Sequence, residues 1–429
     1  MGMNEENAHA IDVVDAFAKK YLTEENVRQW IKSRGVPKSV YQDFYASELG
    51  SYVKPANIGG KSCGFVERAA VIARLTEHAG ATLPFLSDMI SMALLSTMRE
   101  LSQEEIAHDF MVRNGRVSFS QAFTEANAGT DASAVKTTVS LEDGGIYLDG
   151  RKSFVSNGQF APETLVLASD PMFGGSDGGF SLWLVPLSRP GIATYPLNAV
   201  GQEMLSAAAI EFHHVRLAPE WQIQTEGRLD SMLKRQYELG RILVCASSLG
   251  LARAAFNDAA KHAATHMVKG RLLASIPQVQ EKLTNMEIKL RSMQSLVVDA
   301  ANAADQNSEA GESLSHLDSA LMKYYVPKAA TEVADDAMQI FGAMGYTDET
   351  RVSRIWRDCR GNQLAQGSDD IMAHVAAKFI IAEFIQANYD EEDLELFCDR
   401  LALTGALNLL NARSVYQVLA KPIYINGLT

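Results

Sequence analysis

The spacing of apolar residues divides the chain into three stretches. Residues 1 to about 120 contain segments such as AIDVVDAFAKKYL and VERAAVIARLTEHA, in which apolar positions recur three and four apart. That spacing is the period of an amphipathic helix. From about Ser118 to about Pro219, short apolar runs alternate with polar residues between Gly, Asp and Pro breakers, which predicts strands and turns. Long helical periods return from about Glu226 to about Tyr389.

The middle stretch predicts an antiparallel β-barrel or sandwich. Within KTTVSLEDGGIYLDGRKSFVSNG, the tripeptide Asp143-Gly144-Gly145 interrupts two alternating runs and predicts a hairpin. TLVLAS, FSLWLVPL and AAIEFHHVRLA follow as further short strands. Strands that follow one another with turns between them are typical of a small barrel or sandwich. Because strands and helices do not alternate, a doubly wound parallel sheet is disfavoured.

Four long amphipathic segments in the third stretch predict an antiparallel four-helix bundle. The first is LKRQYELGRILVCASSLGLARAAFNDAAKHAATHM and the last is DDIMAHVAAKFIIAEFIQAN. We therefore expect an α+β multidomain protein with an N-terminal helical domain (1–120), a β domain (121–223), a C-terminal bundle (224–389) and an extra C-terminal helical segment (390–429).

Composition and charge narrow the class of protein. The 429 residues are 47% hydrophobic and 21% charged, as in a globular protein of two or three domains. A net charge of −13 repels phosphate backbones and anionic lipids, so nucleic acid and membranes are not expected partners. The N-terminus lacks a basic start followed by an apolar run, and the four cysteines form no CxxC pair. We therefore expect a cytoplasmic protein without a zinc site or disulfide framework.

Two short stretches in the strand region carry candidate chemistry. QAFTEANAGTD (121–131) has two hydroxyls, Thr124 and Thr130, at a strand–loop junction where backbone donors could hold a polar ring or a phosphate. Taken alone, it is better interpreted as a polar turn. In RKSFVSNG (151–158), the spacing predicts Phe154 and Ser156 on one face of a strand, where a ring and a hydroxyl could flank a ring system. Phe154 alone is more often a core residue.

Four stretches in register resemble the acyl-CoA dehydrogenase family. QAFTEANAGTD resembles the family's LTEPxAGSD, and RKSFVSNG resembles KxWITNG. GQEMLSAAAIEFHHVRLAP is similar to GxRxSxxxxIxFxxVxVP, and Met338–Ile371 is similar to the long motif that ends in EGTxEI. The resemblance covers residues from about 10 to about 385. It implies helical, β and helical domains, FAD as cofactor and an acyl-CoA or acyl-carrier-protein thioester as substrate. It also implies a homo-oligomer, dimer or tetramer, with an electron-transferring flavoprotein as the electron acceptor.

The resemblance also implies roles for individual residues. Those near the flavin and the thioester would be Phe123, Thr124, Gly129, Thr130, Phe154, Ser156 and Ser368, while Gln339, Gly342 and Ala343 would meet the FAD of a neighbouring subunit. His266 stands where the family has an arginine that contacts the FAD pyrophosphate. A histidine is neutral much of the time near pH 7, so this contact weakens, although Lys269 offers a nearby charge. The arginines of RIWRDCR, at Arg354, Arg357 and Arg360, form either a cationic patch or ion pairs with Asp358.

The residue aligned with the family's usual catalytic base cannot act as one. In the family, a carboxylate removes the α-proton of the thioester while the β-hydrogen leaves as hydride to the flavin. Most members place this glutamate in EGT, and the alignment puts Gln366 there. An amide does not accept a proton at neutral pH. Isovaleryl-type members use a glutamate on an earlier helix, in LER, and that position is Gly240 here.

Three interpretations follow from the missing carboxylate. Another carboxylate takes over, among Glu238, Asp369 and Asp370, although Glu238 is offset by two residues and so points away on a helix. Alternatively, the enzyme keeps FAD and catalyses β-substituent cleavage such as desulfination, reduction or oxygenation. In the third case, the chain is a non-catalytic subunit that pairs with an active paralogue in a hetero-oligomer. We expect a FAD-dependent oxidoreductase of acyl thioesters that carries out α,β-dehydrogenation or a variant of it.

Overall fold

The computed structural model describes residues 5–53, 60–61, 63–95, 119–129, 134–172, 179–223, 229–310 and 315–388. Within them, helices come first, a sheet follows and helices return, as predicted. The helices before the sheet are α1 (Glu5–Tyr21), α2 (Glu24–Lys32), α3 (Lys38–Ala46), α4 (Glu48–Val53), α5 (Phe65–Ala79) and α6 (Phe85–Leu95).

The middle region forms one large sheet and a separate small hairpin. The strands of the sheet are β1 (Phe119–Ala122), β2 (Thr138–Glu142), β3 (Gly145–Val155), β4 (Glu163–Ser169), β5 (Phe180–Pro186), β6 (Ile192–Pro196), β7 (Ala208–Leu217) and β8 (Gln222–Ile223). Seven of them follow the order β6-β7-β3-β2-β4-β5-β8, and β1 pairs with β4. The sheet is mixed, because β1 and β2 run parallel to β4 while the other pairs are antiparallel.

The turn between β2 and β3 follows from two residues. Asp143 and Gly144 both have positive φ, 48° and 76°, the combination that a two-residue hairpin turn requires. The register continues directly from it, with Glu142 opposite Gly145. The sequence Asp-Gly therefore fixes the hairpin that was predicted here.

Both faces of the sheet are buried, and β4 shows how. Leu165 and Leu167 belong to the core shared with the helices, whereas Val166 and Ala168 belong to a second core with Trp183. Because successive residues of a strand point to opposite faces, one strand supplies both cores. The continuous apolar run of β4 reflects this double burial.

The C-terminal region is built around one long helix. Its members are α7 (Leu229–Thr265), α8 (Pro277–Ala310), α9 (His316–Phe341), α10 (Val352–Asn362) and α11 (Asp369–Asn388), with a small hairpin of β9 (Met267–Val268) and β10 (Arg271–Leu272) after α7. Helix α7 packs against α5, α6, α8, α9 and α10, so it is surrounded by protein. The four long helices confirm the predicted bundle.

One stretch of α7, Ser231–Thr265, has the length and apolar composition of a membrane span. In the fold, 83% of its most apolar window is buried inside the protein. The helix therefore forms the centre of the core. The predicted C-terminal segment 390–429 lies outside the described residues, and the domain limits remain predictions.

Candidate active site

A buried ion pair joins the two motifs of the strand region. The Lys152 ammonium, fully buried in β3, donates to the Glu125 carboxylate at 2.8 Å and to the Phe123 carbonyl at 3.1 Å. The backbone N–H of Ser153 donates to the Thr124 carbonyl at 2.8 Å. The loop after β1 and the end of β3 are therefore held side by side.

Glu125 is kept ionised by its surroundings. Burial opposes the charged form, but hydrogen bonds from Lys152, from Thr137 and from the Lys136 backbone outweigh it and lower the pKa of Glu125 to about 2. Burial lowers the pKa of Lys152, against the effect of Glu125. A fully hydrogen-bonded buried pair of this kind specifies one loop geometry rather than adding much net stability.

The end of β3 does not follow strand alternation. Phe154 has a φ of 56°, the pairing of β3 with β7 shifts register between Lys152 and Val155, and the strand ends at Val155. The prediction that Phe154 and Ser156 share one strand face is therefore wrong, because the left-handed residue turns the chain. The same turn leaves Phe154 72% exposed, while Ser156 is half-buried just beyond it.

The residues of the first loop differ in exposure. Phe123 is buried in the helical core, Thr124 is half-buried and Gly129 is exposed, while Thr130 lies outside the described residues. Among the described residues, and leaving out its chain neighbours, a Cβ on Gly129 would have only the Thr124 methyl group within 4 Å, at 4.0 Å. Thr124 lies beside the exposed Phe154 turn, because its carbonyl accepts from the Ser153 N–H.

Gln366 and Gly240 meet in the structure. A Cβ on Gly240, in α7, would lie 2.9 Å from Gln366 Oε1 and 3.4 Å from a methyl group of Ile90 in α6. The two positions that the resemblance assigns to the family's base are thus adjacent, and the amide of Gln366 fills the space beside Gly240. Gln366 Oε1 is buried and has no hydrogen-bond partner among the described residues.

A half-buried arginine, Arg241, holds the backbone of this loop. Arg241 Nε donates to the Gln366 carbonyl at 3.2 Å, and Arg241 Nη1 donates to the Ser319 hydroxyl at 3.2 Å. Gln366 has a φ of 55°, Gly367 follows with a φ of 99°, and Ser368 begins α11 by accepting from the Met372 N–H. The loop is therefore fixed at its carbonyl while the Gln366 side chain points to Gly240.

The three neighbouring carboxylates face elsewhere. Glu238, almost fully buried, lies 2.8 Å from Nδ1 of His316 in α9. Asp369 lies 4.0 Å from the buried Lys323, also in α9, and burial raises the pKa of this carboxyl. Asp370 is exposed. The partners of Glu238 and Asp369 are therefore on α9, whereas Gly240 faces α6 and Gln366.

Four predicted residues gather at the opposite end of α7. The His266 ring stacks on that of His262 at 4.7 Å, and His262 stacks on Phe341 at 4.3 Å, next to the exposed Gln339, Gly342 and Ala343. The 26 residues between Gly240 and His266 span about 39 Å at 1.5 Å per residue. A single chain therefore does not bring this group to Gln366.

The arginines of α10 are not one cationic patch. Arg354 is buried and donates to both oxygens of Glu24, at 2.8 and 2.7 Å. Arg357 lies 3.6 Å from Glu203, and Arg360 is exposed. Arg354 is therefore an ion-paired structural residue, as one of the two interpretations held, but its partner is Glu24 rather than Asp358.

Asp358 joins the three regions of the chain. Its two oxygens accept from the backbone N–H groups of Thr82 and Gln202, each at 2.6 Å. Thr82 precedes α6, Gln202 precedes β7, and Asp358 lies in α10. Burial raises the pKa of Asp358 to about 6, although the two N–H groups oppose the shift.

Sequence reasoning missed two buried polar clusters beside the site. In one, Asp88 of α6 accepts from Tyr45 and, at 3.4 Å, from the Asn157 amide in the turn after β3. In the other, Gln236 Nε2 of α7 donates to Gln121 Oε1 of β1 at 3.2 Å. Polar residues inside apolar runs were the available signal, but their partners are distant in sequence.

Comparison with known proteins gives consistent matches along the chain. Residues 120–215 match the family model described as the middle domain of acyl-CoA dehydrogenase, and residues 231–381 match that of its C-terminal domain. The probable acyl-CoA dehydrogenase YdiO of Escherichia coli is 36% identical over 273 residues, which cover 64% of this chain and 70% of YdiO.

Solved structures give the same picture. An acyl-CoA dehydrogenase from Slackia heliotrinireducens superposes with a TM-score of 0.79 at 35% identity, over 89% of this chain and 98% of the other. Butyryl-CoA dehydrogenase from Megasphaera elsdenii superposes with a TM-score of 0.79 at 22% identity, over 89% and 99%, which shows a shared fold. The motifs, the architecture and these matches agree that the chain belongs to the acyl-CoA dehydrogenase family, whose members are flavoproteins that act on acyl thioesters.

Proposed function

We propose that this protein is a FAD-dependent oxidoreductase of acyl thioesters whose reaction does not begin with α-proton removal by a carboxylate at the family's position. The observation that carries the proposal is the contact between Gln366 Oε1 and the Cβ position of Gly240. Both positions that could hold the base meet there, and an uncharged amide fills the space. Losing a general base costs about 10²- to 10⁴-fold in rate, so conventional dehydrogenation of a saturated thioester is expected to be slow.

The end of β3 fits a flat aromatic ring. An aromatic side chain that is 72% exposed, beside the half-buried hydroxyls of Ser156 and Thr124, offers an apolar face with polar groups at its edge. We propose that these residues, with Phe123, Gly129, Thr130 and Ser368, hold the isoalloxazine and the thioester. When bound, the flavin supplies the hydride acceptor or donor. The chain's own part is to fix this turn through Lys152 and to leave the thioester facing Gln366.

Exposed residues at the far end of α7 support an oligomer. His266, Gln339, Gly342 and Ala343 form a group about 39 Å from Gly240, beside Tyr346, whose side chain is 83% exposed. We propose that this group completes the FAD site of a neighbouring copy in a homo-oligomer. We further propose an electron-transferring flavoprotein as acceptor and a cytoplasmic location.

Substitution of Gln366 by glutamate tests the proposed chemistry. FAD-loaded Gln366→Glu is expected to gain at least about 10²-fold in the anaerobic rate at which saturated acyl-CoA thioesters bleach the flavin, because a base now stands at the family position. The wild-type protein should be yellow and bleach slowly. Gln363→Glu, in the same loop but hydrogen-bonded to Thr331, is the matched control and should not gain rate.

Two results would overturn the proposal. A wild-type protein that stays colourless with added FAD would leave only the non-catalytic interpretation. Wild-type bleaching as fast as that of Gln366→Glu would show that another group removes the α-proton.

A further inference from the structure

Three glutamine amides lie along one side of α7 beside the candidate active site. Gln236 and Gly240 are four residues apart and so lie on the same face, about one helical turn from each other. Gln366 Oε1 rests at Gly240, and Gln121 reaches Gln236 from β1. Helix α6 packs against both α7 and β1, so the three amides lie where these elements meet.

Each of these amides keeps one buried polar atom without a hydrogen bond. They are Gln121 Nε2, Gln236 Oε1 and Gln366 Oε1, none of which has a partner in the part of the chain that the structure describes. The Gln236 side chain is fully buried. Buried polar groups nearly always have partners, so these three neighbouring atoms are suited to hydrogen-bond a polar group of a ligand.

The three unpartnered atoms define the chemistry of the ligand group that would bind them. One N–H donor and two carbonyl acceptors are available, so the ligand must offer both an acceptor and a donor. If both amides of the Gln121–Gln236 pair are flipped, so that their O and N atoms exchange places, one donor and one acceptor are still left without a partner. The need for a ligand with both an acceptor and a donor therefore does not depend on the orientation of these amides. A carboxamide or a hydroxyl meets it, whereas a hydrocarbon chain does not. A carboxylate is disfavoured because it has no donor for the carbonyl oxygens.

We propose that the acyl chain of the substrate is uncharged and carries a carboxamide or hydroxyl group, which the amides of Gln121, Gln236 and Gln366 bind. The inference rests on the proposed acyl-thioester function and names its substrate class. A site built to hydrogen-bond a polar group rejects the apolar analogue, because the protein's polar atoms are then left without partners.

A pair of thioesters of equal shape tests the inference. Succinamoyl-CoA and isohexanoyl-CoA differ in that a carboxamide replaces an isopropyl group. In calorimetric titration of the FAD-loaded full-length protein, succinamoyl-CoA should bind about 10- to 100-fold more tightly. A yellow protein that binds isohexanoyl-CoA equally well or better would overturn the inference and leave the proposed function standing. A colourless protein that takes up no FAD would instead remove the proposed function.

A double substitution links the preference to these side chains. Gln121→Met with Gln236→Met replaces both partners by apolar groups of similar length, so the melting temperature should hold or rise and the preference should vanish. The matched control, Gln280→Met with Gln294→Met at exposed positions of α8, should keep the preference. A folded Gln121–Gln236 double variant that still prefers succinamoyl-CoA would overturn the assignment. If that variant does not fold, the wild-type titration alone decides.

Discussion

Gln366 has a backbone conformation that residues with a side chain rarely adopt. Its φ of 55° costs about 1 kcal/mol for a residue with a Cβ, and glycine would avoid the cost. Such strain is often stored where function needs a fixed side chain. Here it directs the amide to Gly240 while Arg241 holds the carbonyl.

Also at the scale of single residues, the contribution of Glu125 to the stability of the protein should depend on pH. Its pKa of about 2 lies below the ordinary 4.5, so its stabilisation is fully present above pH 4.5 and is lost as pH falls toward 2. Glu125→Gln leaves the buried Lys152 ammonium without a counter-charge and should cost about 3 kcal/mol at pH 7.

Urea unfolding across pH values measures this difference. The gap in free energy of unfolding between wild type and Glu125→Gln should be constant above pH 5 and shrink below pH 4. An equal gap at pH 3 and pH 7 would contradict the assignment. Glu211→Gln, whose partner Arg151 is exposed, is the control and should change stability little.

For single residues, the sequence predicts which positions matter better than it predicts their geometry. Motif spacing brought attention to Phe154 and Gln366, because both lie in stretches with a family pattern. The φ of Phe154 and the contact of Gln366 with Gly240 were not readable, since one depends on a register shift against β7 and the other joins residues 126 positions apart.

Among elements, α7 decides how closely its neighbours can pack. A Cβ on Gly250 would lie 2.0 Å from the Ala73 carbonyl oxygen of α5, whereas a Cβ on Gly240 would meet the end of the Gln366 side chain at 2.9 Å. Backbone cannot move aside as a side chain can. The two glycines of one helix therefore tolerate a methyl group differently.

Alanine substitutions of these two glycines test the difference. Gly250→Ala should lose about 3 kcal/mol of stability, because α5 and α7 must separate. Gly240→Ala should stay within about 1 kcal/mol of wild type, because the gain in helix propensity offsets the shift of Gln366. Chemical denaturation measures both, and equal losses would contradict the packing argument.

Elements were the best-predicted level of structure. The hairpin at Asp143-Gly144 and the long bundle helices follow from local rules, namely turn chemistry and apolar period. The parallel pairing of β1 with β4 did not follow, because it depends on contacts between residues more than forty positions apart. Local patterns carry no information on which strands pair with each other.

For the whole molecule, Asp358 is the point at which the three regions meet. Its carboxylate accepts one N–H from the N-terminal helical region and one from the strand region. Asp358→Asn would direct an amide NH₂ at one of these donors, so the melting temperature should fall by several degrees. Scanning calorimetry should also show the single transition broaden or divide. A sharp, unshifted transition would show that the contact does not couple the regions.

The contacts of the Asp358 carboxylate limit how the protein can be divided into recombinant fragments. A recombinant fragment that stops before Val352 would keep Thr82 and Gln202 but lose the acceptor for both N–H groups. A fragment that begins at Leu229 would retain Asp358 but lose both backbone donors. The regions that look like three modules in the sequence should therefore be poor candidates for separate expression, and proteases should digest the intact chain in an all-or-none manner.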